Sequence, residues 1–391
     1  MKLRKEKQYS LLIATVCFWF GLYVHVPYQS IYLNSINVSA NMIGVIIGSY
    51  GIMQLFLRLP VGIMADRAGN HRLFILLGVV LTGISCLIRF IFPSGNGFLI
   101  ANIISGCGAS TWISYMVMYC GYFNRLEQQK ATGQIIMACN LGMCLSFIFS
   151  SLVFSHTSML FLCLVGAFVN VIGILFAITI KKGPFLPKIE KQKAAFKELL
   201  SICINKRLMF FSFLAMIQQG IQNTTAMAFT MTYLEDLGAS SDFIGLSSVF
   251  YMIIAVASSY FASTKFSEKF GAGFFIPVVF FLTAIYCIVV PLSENIYLIL
   301  ALQAFPGLSS GILLSYLTSE SMVEVPVDKS STAMGFFQSV YSIGLSVFPV
   351  IVGRLISTYN FPISYNFLAI TAAFGTLTSI LYFKKGSIRK N

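Results

Sequence analysis

Hydrophobic residues in this chain fall in repeated runs, separated by short segments that gather most of the charge. The runs are roughly twenty residues or longer, the length an α-helix needs to cross the hydrocarbon layer. They predict twelve membrane-spanning helices, at roughly 9–33, 41–65, 73–93, 97–121, 131–155, 158–180, 208–234, 241–264, 272–292, 295–319, 331–356 and 362–383. None shows the alternation of a membrane β-barrel strand. Kinks are expected at Pro60, at Pro306-Gly307 and at Pro349.

Composition supports that class. Of 391 residues, 57% are hydrophobic and 10% charged, against about 25% charged in a soluble domain. Charge then orients the spans. An even number of spans puts both termini on one side. Only Arg89 and Arg354 among the Lys and Arg fall near the far face, where they are expected to snorkel. Glu235, Asp236, Asp242 and Glu294 lie on that outer side. The positive-inside rule places both termini in the cytoplasm and the protein in the cytoplasmic (inner) membrane. The net charge of +13 then reflects topology and contact with anionic lipid, with no nucleic-acid partner required. Lys2, Arg4, Lys5 and Lys7 precede a run long enough to span and lacking a small-residue cleavage site, so no cleavable signal peptide is expected.

The longest inner connection, 181–207, is lysine-rich and carries Phe196, Leu199, Leu200 and Cys203 at helical spacing. It is expected to form an amphipathic helix on the inner membrane surface. It separates an N-terminal bundle, 1–180, from a C-terminal bundle, 208–391, each of six helices. The halves repeat. An offset of 201 or 202 residues aligns Tyr32-Leu33 with Tyr233-Leu234, Asn102 with Gln303, Gly106 with Gly307, Gly133 with Gly335 and Gly142 with Gly344. Tandem six-span repeats of one orientation are a transporter architecture, with the substrate site near the midplane between the halves.

Between spans 2 and 3 stands Gly62-Ile-Met-Ala-Asp66-Arg67-Ala-Gly69-Asn-His71-Arg72. This loop resembles the signature of the major facilitator superfamily, G-x-x-x-D-[RK]-x-G-x-[RK]-[RK], with His71 where Lys or Arg is usual. Span count, halves, central connection and signature extend the resemblance over essentially the whole chain. It implies an all-α membrane protein of two pseudo-symmetric six-helix bundles that rock about a central cavity lined by spans 1, 4, 7 and 10. A contact of this loop that is made in one state and broken in the other would give Gly62, Asp66, Arg67, Gly69 and Arg72 a gating role; the alternative is that Asp66 and Arg67 only hold the short turn. Glu268, Lys269 and Gly271 hold the matching positions in a degraded second copy. Gly69 permits a tight turn, and Asp66 can cap a helix end or pair with a cation. The family's drug–proton exporters carry an Arg in span 4 before G-x-G-A and a Gly-Pro in span 5. Here Asn102 precedes Gly106-Cys107-Gly108-Ala109, and Gly142 is followed by Met143. Both departures weigh against drug–proton antiport and do not exclude export.

Polar groups inside the spans supply the candidate chemistry. Gln54 and Arg58 share a face of span 2, as do His25, Gln29 and Tyr32 in span 1. Asn102, Trp112 and Tyr115 come from span 4, and Gln218, Gln219, Gln222 and Asn223 from span 7. Gln303 comes from span 10, and Gln338 and Tyr341 from span 11. Together they describe an apolar, aromatic cavity with amide hydrogen bonders, as small-molecule sites have. No carboxylate falls mid-membrane, and Glu320 lies at the inner end of span 10. His25 is therefore the candidate carrier of a coupling proton, with hydrogen-bonded packing as its alternative role. Arg58 serves either as a site for an anionic group or as a structural cation paired with a carbonyl or Asp66.

The nine cysteines follow no metal or disulfide spacing and are expected as free thiols, and His25, His71 and His156 lie at different depths, so no metal site is expected. No cofactor and no phosphate-cradling loop are expected. The preferred function is a monomeric secondary transporter of a small organic solute, exporting an amphiphilic compound with protons as the coupling ion. Uptake of an anionic metabolite is the alternative, and a membrane-embedded transferase the remote one.

Overall fold

The computed structural model describes residues 2–38, 40–180 and 201–388. Phe196, Leu199 and Leu200 of the expected surface helix lie outside them. Cys203 lies in a short turn, Ile202–Ile204.

Among the described residues, twelve helical runs follow the hydrophobic pattern. α1 runs Lys2–Tyr23 and resumes as Val26–Ser35. α2 is Ala40–Ala68, α3 His71–Ile91, and α4 Gly95–Ser110 continued by Trp112–Cys120. α5 is Gln128–Val153 and α6 Met159–Thr179. α7 joins Lys206–Thr224 to Thr230–Asp236 through the π turn Thr225–Phe229. α8 is Ser241–Ala262 and α9 Ala272–Val289, with the short helix Lys265–Phe270 between them. α10 is the most broken: Ile296–Leu302, Ala304–Leu308, the π turn Ser309–Leu313, then Leu314–Met322. α11 is Ser330–Thr358 and α12 Phe361–Ile388.

Among the described residues, eleven helices are long and apolar enough to cross a membrane. The remaining run, α7, carries the glutamine patch, and its polarity separates it from the others.

The breaks have local causes. α1 breaks at Val24-His25, just before Pro27. Proline lacks the N–H that would continue the ladder and is at home in a first helical turn. In α7, the hydroxyls of Thr224 and Thr225 donate to the carbonyls of Gly220 and Ile221, and the π turn starts there. Pro306 sits beside the interruption at Gln303, as expected. Pro60 and Pro349, by contrast, lie inside unbroken helices, because their neighbours keep the remaining ladder intact.

Packing divides the helices into two bundles. In the first, α1 packs on α5 and α6, α3 on α4 and α6, and α2 on α4. In the second, α7 packs on α10 and α11, α8 on α10, and α9 on α12. The main contacts between bundles are α2 with α11 and α5 with α8. Glycines set how closely these pairs approach. A Cβ on Gly62 would strike the Ser331 carbonyl, and one on Gly335 would lie 2.7 Å from the Arg58 carbonyl. On the other seam, a Cβ on Gly133 would lie 3.0 Å from the Ser259 carbonyl. Gly133 and Gly335 are repeat mates, and so, at an offset of 201, are Arg58 and Ser259. The same glycine-on-carbonyl contact therefore forms on both seams.

Candidate functional site

The α2–α11 seam holds a buried guanidinium. Arg58 is 2% exposed. Its Nη1 donates to the Gln338 carbonyl at 3.1 Å and to Ser342 Oγ at 2.9 Å, and its Nη2 donates to Gln54 Oε1. Its carbon centre lies 4.6 Å from the centroid of the Tyr341 ring, a geometry in which the ring face attracts the cation. No carboxylate is among these partners, and Nε has none. Of the two alternatives for a structural Arg58, carbonyl pairing is present; Asp66 is engaged elsewhere. Among the described residues, the ion pairs involve one cation, Arg207, with Glu320 and Glu324. An ion held out of water without a counter-charge is costly, so neutral dipoles and an aromatic face alone support Arg58.

The second bundle contributes an amide cluster. Gln218 Nε2 donates to Gln222 Oε1 at 2.6 Å, to the Ser309 carbonyl at 3.1 Å and to Ser309 Oγ at 3.2 Å. Gln222 Nε2 donates to the Tyr251 hydroxyl. Gln219 is half-buried, and Asn223 donates to the Leu345 carbonyl at 3.2 Å. On the α5–α8 seam, Asn140 Nδ2 donates to Ser259 Oγ at 2.9 Å, and Ser310 Oγ donates to Asn140 Oδ1 at 3.4 Å.

The first bundle builds a different environment around Arg89. Snorkelling is wrong for this residue. Arg89 is 1% exposed and donates to Ser85 Oγ at 3.1 Å, to Ser105 Oγ at 3.0 Å and to Asn102 Oδ1. Three polar neighbours one turn apart on α3 and α4 satisfy it inside the bundle more fully than its distance from the helix end suggested. Asn102 also donates to the Ile46 carbonyl at 2.7 Å, so its amide ties α2, α3 and α4 together. Its repeat mate Gln303 is fully buried with both amide atoms unpaired. Val290 stands at the repeat position of Arg89, which leaves Gln303 without the guanidinium. Arg354 is exposed, as snorkelling requires.

The span-1 candidates sit at the break in α1. His25 and Gln29 are buried, and His25 Nδ1 has no partner. The Tyr32 hydroxyl reaches the Pro93 carbonyl at 3.5 Å. Trp112 and Tyr115 pack in an aromatic group with Phe18 and Trp19, and the Tyr115 hydroxyl donates to the Ile75 carbonyl at 3.2 Å.

The loop 62–72 makes its main contact across the α2–α11 seam. Asp66 Oδ1 accepts from the Ser331 amide at 2.9 Å. Its Oδ2 accepts from the Thr332 amide at 2.6 Å and the Thr332 hydroxyl at 2.7 Å. A carboxylate of one bundle thus caps the N-terminus of α11 in the other, where unpaired amides and the helix dipole favour negative charge. Gly69 has φ +57°, the left-handed conformation this turn requires. Arg72 donates to the Ile178 carbonyl at 2.6 Å, His71 Nδ1 lies 3.4 Å from Ser114 Oγ, and Arg67 is exposed. In the second copy, Gly271 has φ +70°, and Glu268 and Lys269 are exposed. That end of the α5–α8 seam is closed by Gln129, which donates to the Ala262 carbonyl at 3.3 Å and accepts from Ser319.

Sequence reasoning singled out Asp66 but not its partners Ser331 and Thr332, and it missed Asn140, Ser259, Tyr251 and Gln129. The repeat offset carried part of that signal, since it pairs Arg58 with Ser259 and Asn140 with Ser342, the residues that meet across the two seams.

Two helical bundles meeting along glycine-tightened seams, with buried polar groups between them, define a polytopic membrane transporter. The chain matches the description Major Facilitator Superfamily over residues 11–233 and again over 208–390, and it belongs to that family. Among similar proteins is an MFS-type transporter of Methanocaldococcus jannaschii, MJ1560, 23% identical over 374 residues that cover 94% of this chain and 95% of that one. The MFS-type transporter YfkF of Bacillus subtilis is 31% identical over 91 residues, 22% of this chain and 23% of that one. In structure the chain resembles the human organic anion transporter MFSD10 (TETRAN), with a TM-score of 0.79 over 96% of this chain and 99% of that chain, at 11% identity. That likeness is one of fold. Family and fold make this protein a transporter rather than an enzyme.

Proposed function

We propose that the protein moves a small organic anion across the cytoplasmic membrane by alternating access, with both termini in the cytoplasm. The observation that carries this reading is Arg58. It is a buried guanidinium on the seam between the bundles, with an unpaired Nε and no acidic partner. A resident carboxylate would cancel its charge. Its absence from the partner set leaves a cation whose cost is relieved when an anionic solute enters.

Residues 1–180 and 208–391 act as the two moving bodies, and 181–207 connects them. Asp66 on the α11 N-terminus is the cytoplasmic latch, closed here and released when the bundles rock inward. Gly62, Arg67, Gly69 and Arg72 support it, and Glu268, Lys269 and Gly271 form the weaker second loop. Protons couple through His25, a buried imidazole with a free nitrogen.

A second reading, proton-linked export of an amphiphilic compound, is favoured by the aromatic group of Trp19, Trp112 and Tyr115. Counterflow of labelled organic acids and of uncharged amphiphiles into proteoliposomes, with and without a pH gradient, separates the two. Uptake of acids that Arg58→Gln abolishes supports the anion reading. Uptake of uncharged amphiphiles that survives Arg58→Gln rejects it.

A further inference from the structure

Buried polar atoms are left unpaired on both bundles. On the first they include two donors, Arg58 Nε and Trp19 Nε1 beside Tyr23. On the second they include the acceptors Gln218 Oε1 and Gln338 Oε1, along with both amide atoms of Gln303. The orientation of Gln218 is fixed by its neighbours. Its nitrogen faces the Ser309 carbonyl, which only accepts, so its oxygen is the free end. Both glutamines are 1% exposed. Buried polar atoms without partners are rare and costly. Gln338 is tied to Arg58 through its carbonyl, and Gln218 to Tyr251 through Gln222.

We infer that the transported solute is an organic acid that also carries a hydrogen-bond donor, a hydroxyl or an amine. Its anionic group meets Arg58 and its donor meets the glutamine oxygens of the second bundle. This rests on the organic-anion reading above and narrows it. A solute of this kind pairs atoms from both bundles at once and couples their movement. A plain acid satisfies Arg58 alone and leaves two buried oxygens unpaired. A site built to receive a hydroxyl or amine rejects the analogue lacking it, because the site's own groups then stay unsatisfied.

The test is a binding screen on the purified full-length protein by thermal shift. It uses matched pairs of small acids with and without a hydroxyl or amine, such as 4-hydroxyphenylacetate with phenylacetate and 3-hydroxybutyrate with butyrate. The amide of each acid serves as the uncharged control. The expected hits are acids with a donor, favoured over their donor-less partners by about tenfold in affinity. Gln218→Met and Gln338→Met should shrink that ratio while leaving the donor-less acid unchanged. Arg58→Gln should weaken both acids of a pair by about tenfold or more and spare the amides. Because the ratio is read within each variant, loss of stability in one variant does not mimic the effect. Acids bound with equal affinity whether or not they carry the donor overturn the inference and leave the organic-anion reading standing. Hits confined to amides, or no hit at all, overturn both.

Discussion

At the scale of residues, the two buried arginines have opposite duties. Arg89 closes a network inside one bundle and Arg58 lies on the seam between bundles, each with its Nε unpaired. Arg89→Gln should therefore lower thermal stability, since three oxygens in α3 and α4 lose a charged donor at roughly 1.5–3 kcal/mol per bond. Transport per folded molecule should change little. Arg58→Gln should do the reverse. Thermal unfolding and initial transport rates, measured on both variants at equal reconstitution, check this, and loss of transport in both with equal stability contradicts it. Asp66→Asn removes a charge at a partly exposed helix end, a contact of ~0.3–2 kcal/mol. That is small for a fold and large for two states separated by a few kcal/mol. Transport should fall with little change in unfolding temperature. His25→Gln should flatten the pH dependence of transport while substrate binding persists, and an unchanged profile returns His25 to packing.

At the scale of elements, glycines set the close approach at both seams. Gly62→Val would wedge α11 away from α2, whereas a Cβ at Gly48, further along the same helix, meets nothing within 4 Å. Gly62→Val should stop transport and expose thiols placed near Ser331, and Gly48→Ala should be silent. Similar activity in the two variants would remove the seam argument. The elements themselves were largely legible in the sequence, because each span advertises its length in uninterrupted apolar residues. The conformations of Gly69 and Gly271 were legible too, since charge and glycine crowd those turns. What the sequence hid were contacts between distant elements. Arg89 sits near a span end, and only α4's Asn102 and Ser105, brought alongside by packing, make the interior habitable for it. The break at His25 was hidden because Pro27 follows it by two residues, inside an otherwise continuous apolar run.

At the scale of the whole molecule, the repeat does more than duplicate helices. It lays the same close approach on both seams, Gly335 on Arg58 and Gly133 on Ser259, and then fills the two seams with different chemistry. One carries a cation and a carboxylate cap, the other neutral amides and hydroxyls. In the proposed rocking, the charged seam opens at the end that carries Asp66, where the capping bonds from Ser331 and Thr332 would be released before the bundles part. The most direct measurement is the distance between spin labels at Arg67→Cys and Val327→Cys, both exposed positions at that end, in a background without native cysteines. The account predicts one short distance population in the resting protein and a second, longer one when Asp66→Asn is added, with transport reduced in parallel. A single unchanged population in the variant, with transport intact, would contradict it.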